Sequence, residues 1–83
     1  YLAEDRRGRQ PGVAHADDIA FVMGSLEREP GLRRVSARDR AASELLGRYW
    51  VQFARTGDPN GPGLPAWPRD TVAGTVLELG DEV

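Results

Sequence analysis

Apolar residues in the second half of the chain recur with a helical period. Ala42, Leu45, Leu46, Tyr49 and Phe53 follow one another at steps that line them along one helix face. Ser36 precedes the run with Asp39 three residues on, a variant of the reciprocal pairing that closes a helix start. Arg55 falls in the last turn, where positive charge is favoured, and Gly57 is placed for a left-handed cap. The pattern predicts a helix over about 37–56. Gly47 inside it costs roughly 1 kcal/mol against alanine, and its small size leaves room for a close neighbour.

The rest of the pattern is shorter-ranged. Ile19, Val22 and Met23 share a face at i, i+3 and i+4, which predicts a short helix over 17–23, with Asp17 as N-cap and Gly24 at its end. Tyr1–Ala3 reads as the end of a strand, and Thr75–Leu79 has strand composition. Glu4–Pro11 reads as a loop and Ser25–Val35 as irregular, with a turn at Pro30-Gly31. Residues 57–68 are rich in proline and glycine, so they read as an ordered loop around Asp58-Pro59-Asn60-Gly61. The expected order is strand, histidine loop, short helix, long helix, wrapped loop, strand.

Those elements do not make a self-sufficient core. Trp50, Phe53 and Trp67 read as core-packing aromatics, each with ~150–250 Å² to bury. Together with Tyr49 and Leu77 they call for a surface that so short a chain barely supplies. A large uncovered apolar patch marks a missing partner.

Composition narrows the class. The chain has 83 residues, enough for one small domain or a piece of a larger one. It opens on Tyr1 rather than methionine, which fits a piece. It lacks cysteine, so neither a disulfide nor a cysteine metal site supports the core. A net charge of −2 argues against a nucleic-acid partner. The absence of a run of ~18 apolar residues argues against a membrane span. Arg33, Arg34, Arg38 and Arg40 cluster, but Glu27, Glu29 and Asp39 dilute them, so a solvated face is the expectation. The composition assigns no compartment, because chains without cysteine occur both inside and outside the cell.

Candidate chemistry centres on His15, the only histidine. It sits in Gly12-Val13-Ala14-His15-Ala16-Asp17-Asp18-Ile19-Ala20-Phe21-Val22-Met23-Gly24. Imidazole is the side chain that titrates near neutrality unaided, which suits a general base. By residue type alone, a single histidine is more often a surface or core-edge side chain. Ser25, Ser36 and Ser43 all lack the Gly-x-Ser-x-Gly elbow that presents a nucleophile. Asp17 and Asp18 with His15 lack the ligand count and spacing of a metal site.

A second segment gives the histidine a context. Tyr49-Trp50-Val51-Gln52-Phe53-Ala54-Arg55-Thr56-Gly57-Asp58-Pro59-Asn60 runs on to Trp67-Pro68. The two segments together resemble the C-terminal end of type B carboxylesterases, the group with cholinesterases and bacterial p-nitrobenzyl esterases. That family carries Gly-x-x-His-x-x-(Glu/Asp)-(Ile/Leu)-x-(Phe/Tyr)-Val-Phe-Gly. A helix ending Trp-x-x-Phe-Ala-(Arg/Lys)-Thr-Gly-(Asp/Asn)-Pro-Asn follows, and then Trp-Pro. The resemblance covers nearly the whole chain. Met23 departs from the usual phenylalanine, and Asp18 from the usual glutamate.

The resemblance implies an α/β class. Residues 1–83 would form the C-terminal portion of an α/β-hydrolase domain, incomplete alone and without an internal boundary. The complete protein would be a serine esterase acting on a small-molecule ester without cofactor or metal. In this fold the triad runs serine, acid, histidine along the chain, so a C-terminal piece carries the histidine alone. His15 would be the catalytic base. The serine, the acid and the oxyanion glycines would lie in the upstream part of the same hydrolase domain, which becomes this chain's partner. Asp18 would turn its carboxylate toward the site from behind His15, or else remain a solvated helix-start acid. Val13, Ala14 and Ala16 would line the substrate pocket, or else only pack the loop. The alternative is a non-catalytic cholinesterase-like interaction protein, or an orphan fragment that binds a partner.

Overall fold

The computed structural model describes residues 1–69 and 76–81. The long helix, α2, spans Ala37–Thr56, where the periodicity placed it. Its start is a reciprocal box. The Asp39 N–H donates to Ser36 Oγ, and the Ser36 N–H donates to the Asp39 carboxylate, both at 3.0 Å. Its end is Gly57, at φ +78°, a conformation that costs an L-residue side-chain strain and glycine none.

Asp39 is not the surface acid expected beside the arginines. It is fully buried. Besides Ser36, it accepts the Tyr1 hydroxyl at 2.9 Å and the Glu4 N–H at 3.0 Å. Burial alone would raise its pKa. The Ser36 and Glu4 N–H groups and the Tyr1 hydroxyl outweigh burial and hold the carboxyl below its ordinary range. Burial, and then the bond to Asp39, push the Tyr1 phenol up to about 12.

The second helix, α1, is shorter than expected, at Ile19–Val22. Residues 15–18 form a turn instead of its first turn. α1 lies against α2, and the Ser43 hydroxyl donates to the Phe21 carbonyl at 2.7 Å. Gly47 faces the Val22 carbonyl, as its small size suggested, yet an added Cβ would stand 3.8 Å away, an ordinary contact. Ala3, Ala20, Phe21, Leu26 and Leu46 form the core, and Tyr1 meets Phe21 edge-on at 5.7 Å. Single 3₁₀ turns at Glu4–Arg6 and Leu26–Arg28 lie inside segments expected to be irregular.

Neither expected strand forms among the described residues, so the α/β order is not reproduced. Thr75 lies outside them, and residues 76–79 are irregular, as is Tyr1–Ala3. The two segments do lie side by side, with the Tyr1 nitrogen donating to the Leu79 carbonyl at 2.6 Å. Arg7 ties them further through a forked pair with Asp81 at 2.7 and 3.3 Å. A single backbone bond is not a ladder. Strands need a row of neighbouring N–H and C=O groups, and two short segments alone do not hold one.

The loop after α2 is ordered by side chains acting on backbone. The Asn60 N–H donates to Asp58 Oδ1 at 2.9 Å, an Asx turn around Pro59. Asn60 then mimics a backbone partner for Trp67, accepting its N–H at 2.6 Å and donating to its carbonyl at 3.0 Å. Tyr49 is buried, meets Trp67 edge-on at 5.2 Å and donates its hydroxyl to the Pro65 carbonyl.

The expected aromatic core is thus only half made. Trp67 is half-buried, but Trp50 and Phe53 remain 47% and 58% exposed. Phe53 lies one turn beyond Tyr49 on the same stripe, past the end of the core that Leu46 and Tyr49 reach. Tyr49, Trp50, Phe53, Pro59 and Trp67 line an apolar cleft of about 410 Å³. Among the described residues no helix is long and apolar enough to cross a membrane.

Candidate active site at the His15 turn

His15 stands exposed at the second position of a tight turn. The Asp17 N–H donates to the Ala14 carbonyl at 3.2 Å, closing the turn over His15 and Ala16. Ala16 adopts φ +68°, the only positive φ outside glycine among the described residues. Positive φ at the third position of such a turn is the type II signature, normally met by glycine. An alanine held there stores strain, and strained turns concentrate at functional sites.

Asp17 is not the N-cap of α1. Its carboxylate turns back and accepts the Ala14 N–H at 2.8 Å. It also accepts Arg6 Nη1 at 2.8 Å and Gln10 Nε2 at 3.0 Å. Gln10 Nε2 reaches the Gly12 carbonyl at 2.6 Å as well, so the whole approach to His15 is tied. The Ala14 N–H, helped by Gln10 and Arg6, outweighs desolvation and holds the Asp17 carboxyl below its ordinary range.

The other residues singled out in the sequence gather on the same turn. Asp18 is exposed, takes helical φ and ψ at the α1 N-cap position, and makes no side-chain cap. Val13, Ala14 and Ala16 are exposed. The apolar cleft is at the far end of α2 and has no His15 in its lining. Arg6 and Gln10 escaped the sequence reading, because a loop arginine and a glutamine carry no motif. Asp17 was legible only as a helix-start acid. Which of two adjacent carboxylates faces back is decided by the path of the folded chain. Among the described residues no cluster of three histidine, cysteine or acidic side chains is arranged to hold a metal ion.

Residues 2–83, and so the histidine turn and the long helix together, match the family model described as "Carboxylesterase family". The chain belongs to the carboxylesterase family. It is 43% identical to carboxylesterase 4A of Bos taurus over 72 residues, covering 86% of this chain and 12% of that one. It is 38% identical to carboxylesterase 5A of Felis catus, covering 78% of this chain and 12% of the relative. It is 34% identical to carboxylesterase 1C of Mus musculus, covering 95% of this chain and 14% of the relative. The chain therefore spans roughly an eighth of the length of these carboxylesterases. No solved structure matches it.

Proposed function

We propose that residues 1–83 are the C-terminal part of a carboxylesterase domain of α/β-hydrolase fold, and that His15 is its general base. The observation that carries this reading is the exposed imidazole on a braced, strained turn, inside a segment that matches the carboxylesterase model. His15 takes the proton of a serine hydroxyl as that oxygen attacks the ester carbonyl. It returns the proton to the departing alcohol, leaving an acyl-serine, and then repeats the cycle with water to release the acid. Asp18 stands behind His15 near the site, and Val13, Ala14 and Ala16 form one wall of the ester pocket.

The remainder of the domain supplies the serine, its acid and the oxyanion donors. It also covers the apolar cleft. Trp50 and Phe53 expose aromatic surface that the family's full length, several times this chain, has the bulk to bury. The test is His15→Ala in the complete enzyme. Turnover of a p-nitrophenyl ester is expected to fall by roughly 10⁴-fold or more while the thermal midpoint holds. Unchanged turnover overturns the reading.

A further inference from the structure

Ala14 and Asp17 bond each other in both directions across His15. The Asp17 N–H donates to the Ala14 carbonyl at 3.2 Å, and the Ala14 N–H donates to Asp17 Oδ2 at 2.8 Å. The two residues enclose His15 and Ala16 in a closed clamp, and that clamp carries the left-handed Ala16. A backbone in a disfavoured conformation persists only when its surroundings over-determine it, and here the surroundings are the Asp17 carboxylate.

The carboxylate is itself anchored. Arg6 Nη1 lies 2.8 Å from Asp17 Oδ1, and both side chains are mostly buried, at 15% and 16% exposure. Arg6 Nη2 lies 3.6 Å from Glu29 Oε1. Gly31 packs on the same guanidinium so closely that a Cβ there would fall 2.8 Å from Arg6 Nη2. The anchor thus comes from two segments outside the histidine turn.

We infer that Asp17, anchored by Arg6, is the positioning residue that sets the direction in which His15 presents its imidazole. The inference rests on His15 being the base. Proton transfer needs heavy atoms within hydrogen-bond reach, and a misplacement of about 1 Å costs on the order of 10²-fold in rate. The Asp17 carboxylate bonds Arg6, Gln10 and the Ala14 N–H, and not the His15 imidazole. It acts through the backbone on both sides of His15.

The experiment compares Asp17→Ala, Asp17→Asn, the pair Arg6→Gln with Asp17→Asn, and His15→Ala, all in the complete enzyme, by kcat, KM and thermal midpoint. Asp17→Ala is expected to lower kcat by roughly 10²-fold with KM nearly unchanged, the split of a misaimed base. In Asp17→Asn one oxygen still accepts the Ala14 N–H, but the new amide donors oppose the Arg6 donors. Replacing Arg6 by glutamine in that background supplies an acceptor, so the paired variant is expected to recover most of the kcat that Asp17→Asn loses. A merely structural role would not give that recovery in kcat at constant KM.

Unchanged kcat in Asp17→Ala beside an inactive His15→Ala overturns the inference alone. Full activity in His15→Ala overturns the general-base reading with it. If Asp17→Ala fails to fold, the paired variant decides, and its folding without recovery of kcat overturns the inference.

Discussion

The Asp39 carboxylate accepts the Tyr1 hydroxyl at 2.9 Å across thirty-eight residues of chain, while also closing the start of α2. One buried acid therefore joins the first residue, the first 3₁₀ turn and the long helix. The pairing places Tyr1 on Phe21, and Phe21 belongs to α1, which follows directly from the His15 turn. The frame that carries the candidate base is thus held from the start of α2.

Removing that acid is expected to be costly. Asp39→Ala leaves the Tyr1 hydroxyl and the Glu4 and Ser36 N–H groups without an acceptor and removes half of the helix box. The expected loss is roughly 2–4 kcal/mol of stability, read as a lower urea midpoint in the complete protein. A midpoint equal to that of the wild type would show that the buried bonds contribute nothing.

Acid should weaken the protein through the same group. A carboxyl held below its ordinary pKa stabilises the fold fully above the ordinary carboxylate range, near ~4, and loses that contribution as pH falls through the folded value. The Tyr1 phenol has the opposite sense. Its contribution is complete below the ordinary value of 10.0 and is lost as pH rises toward about 12. Urea unfolding at a series of pH values checks both arms. Asp39→Asn is expected to flatten the acid arm relative to wild type, and an identical acid arm in the two proteins rules the assignment out.

Ala16 stands at φ +68°, where glycine carries no side-chain strain. Ala16→Gly is expected to raise stability by on the order of 0.5–1 kcal/mol, since relief of left-handed strain exceeds the added freedom of the unfolded chain. Ala16→Val is expected to lower it. Thermal midpoints of the two variants in the complete protein test this pairing, and a loss of stability in the glycine variant would contradict it.

Asn60 holds Trp67 by one bond accepted and one donated. Asn60→Asp keeps the acceptor but sets a carboxylate against the Trp67 carbonyl and against Asp58 Oδ1, which the Asn60 amide now reaches at 3.0 Å. Amide hydrogen exchange over residues 60–68 is expected to quicken in this variant and in Asn60→Ala. Exchange as slow as in the wild type would mean that the aromatic contacts with Tyr49 and Trp50 keep Trp67 in place without Asn60.

Much of this molecule is written locally and was therefore legible in the sequence. The bounds of α2 follow from a helical apolar period, a Ser36–Asp39 start and a Gly57 stop, all of which act within a few residues. The turn at Asp58–Asn60 is equally local. His15 stood out because it is the only histidine and lies in a family-like segment. What depends on distant residues was not legible. Asp39 looks like a surface acid until Tyr1 and Glu4 arrive over it. Asp17 looks like a helix cap until Arg6 and the Ala14 N–H claim its oxygens. Trp50 and Phe53 have the period of core residues, but burial requires an opposing surface, and among the described residues Pro59 and Trp67 cover them only in part. The strands expected at residues 1–3 and 75–79 do not form among the described residues for a related reason, since a single backbone bond joins the described parts of those segments. Local propensity and capping settle within one turn of chain. Burial, charge pairing and strand ladders are settled only by what the rest of the fold brings alongside.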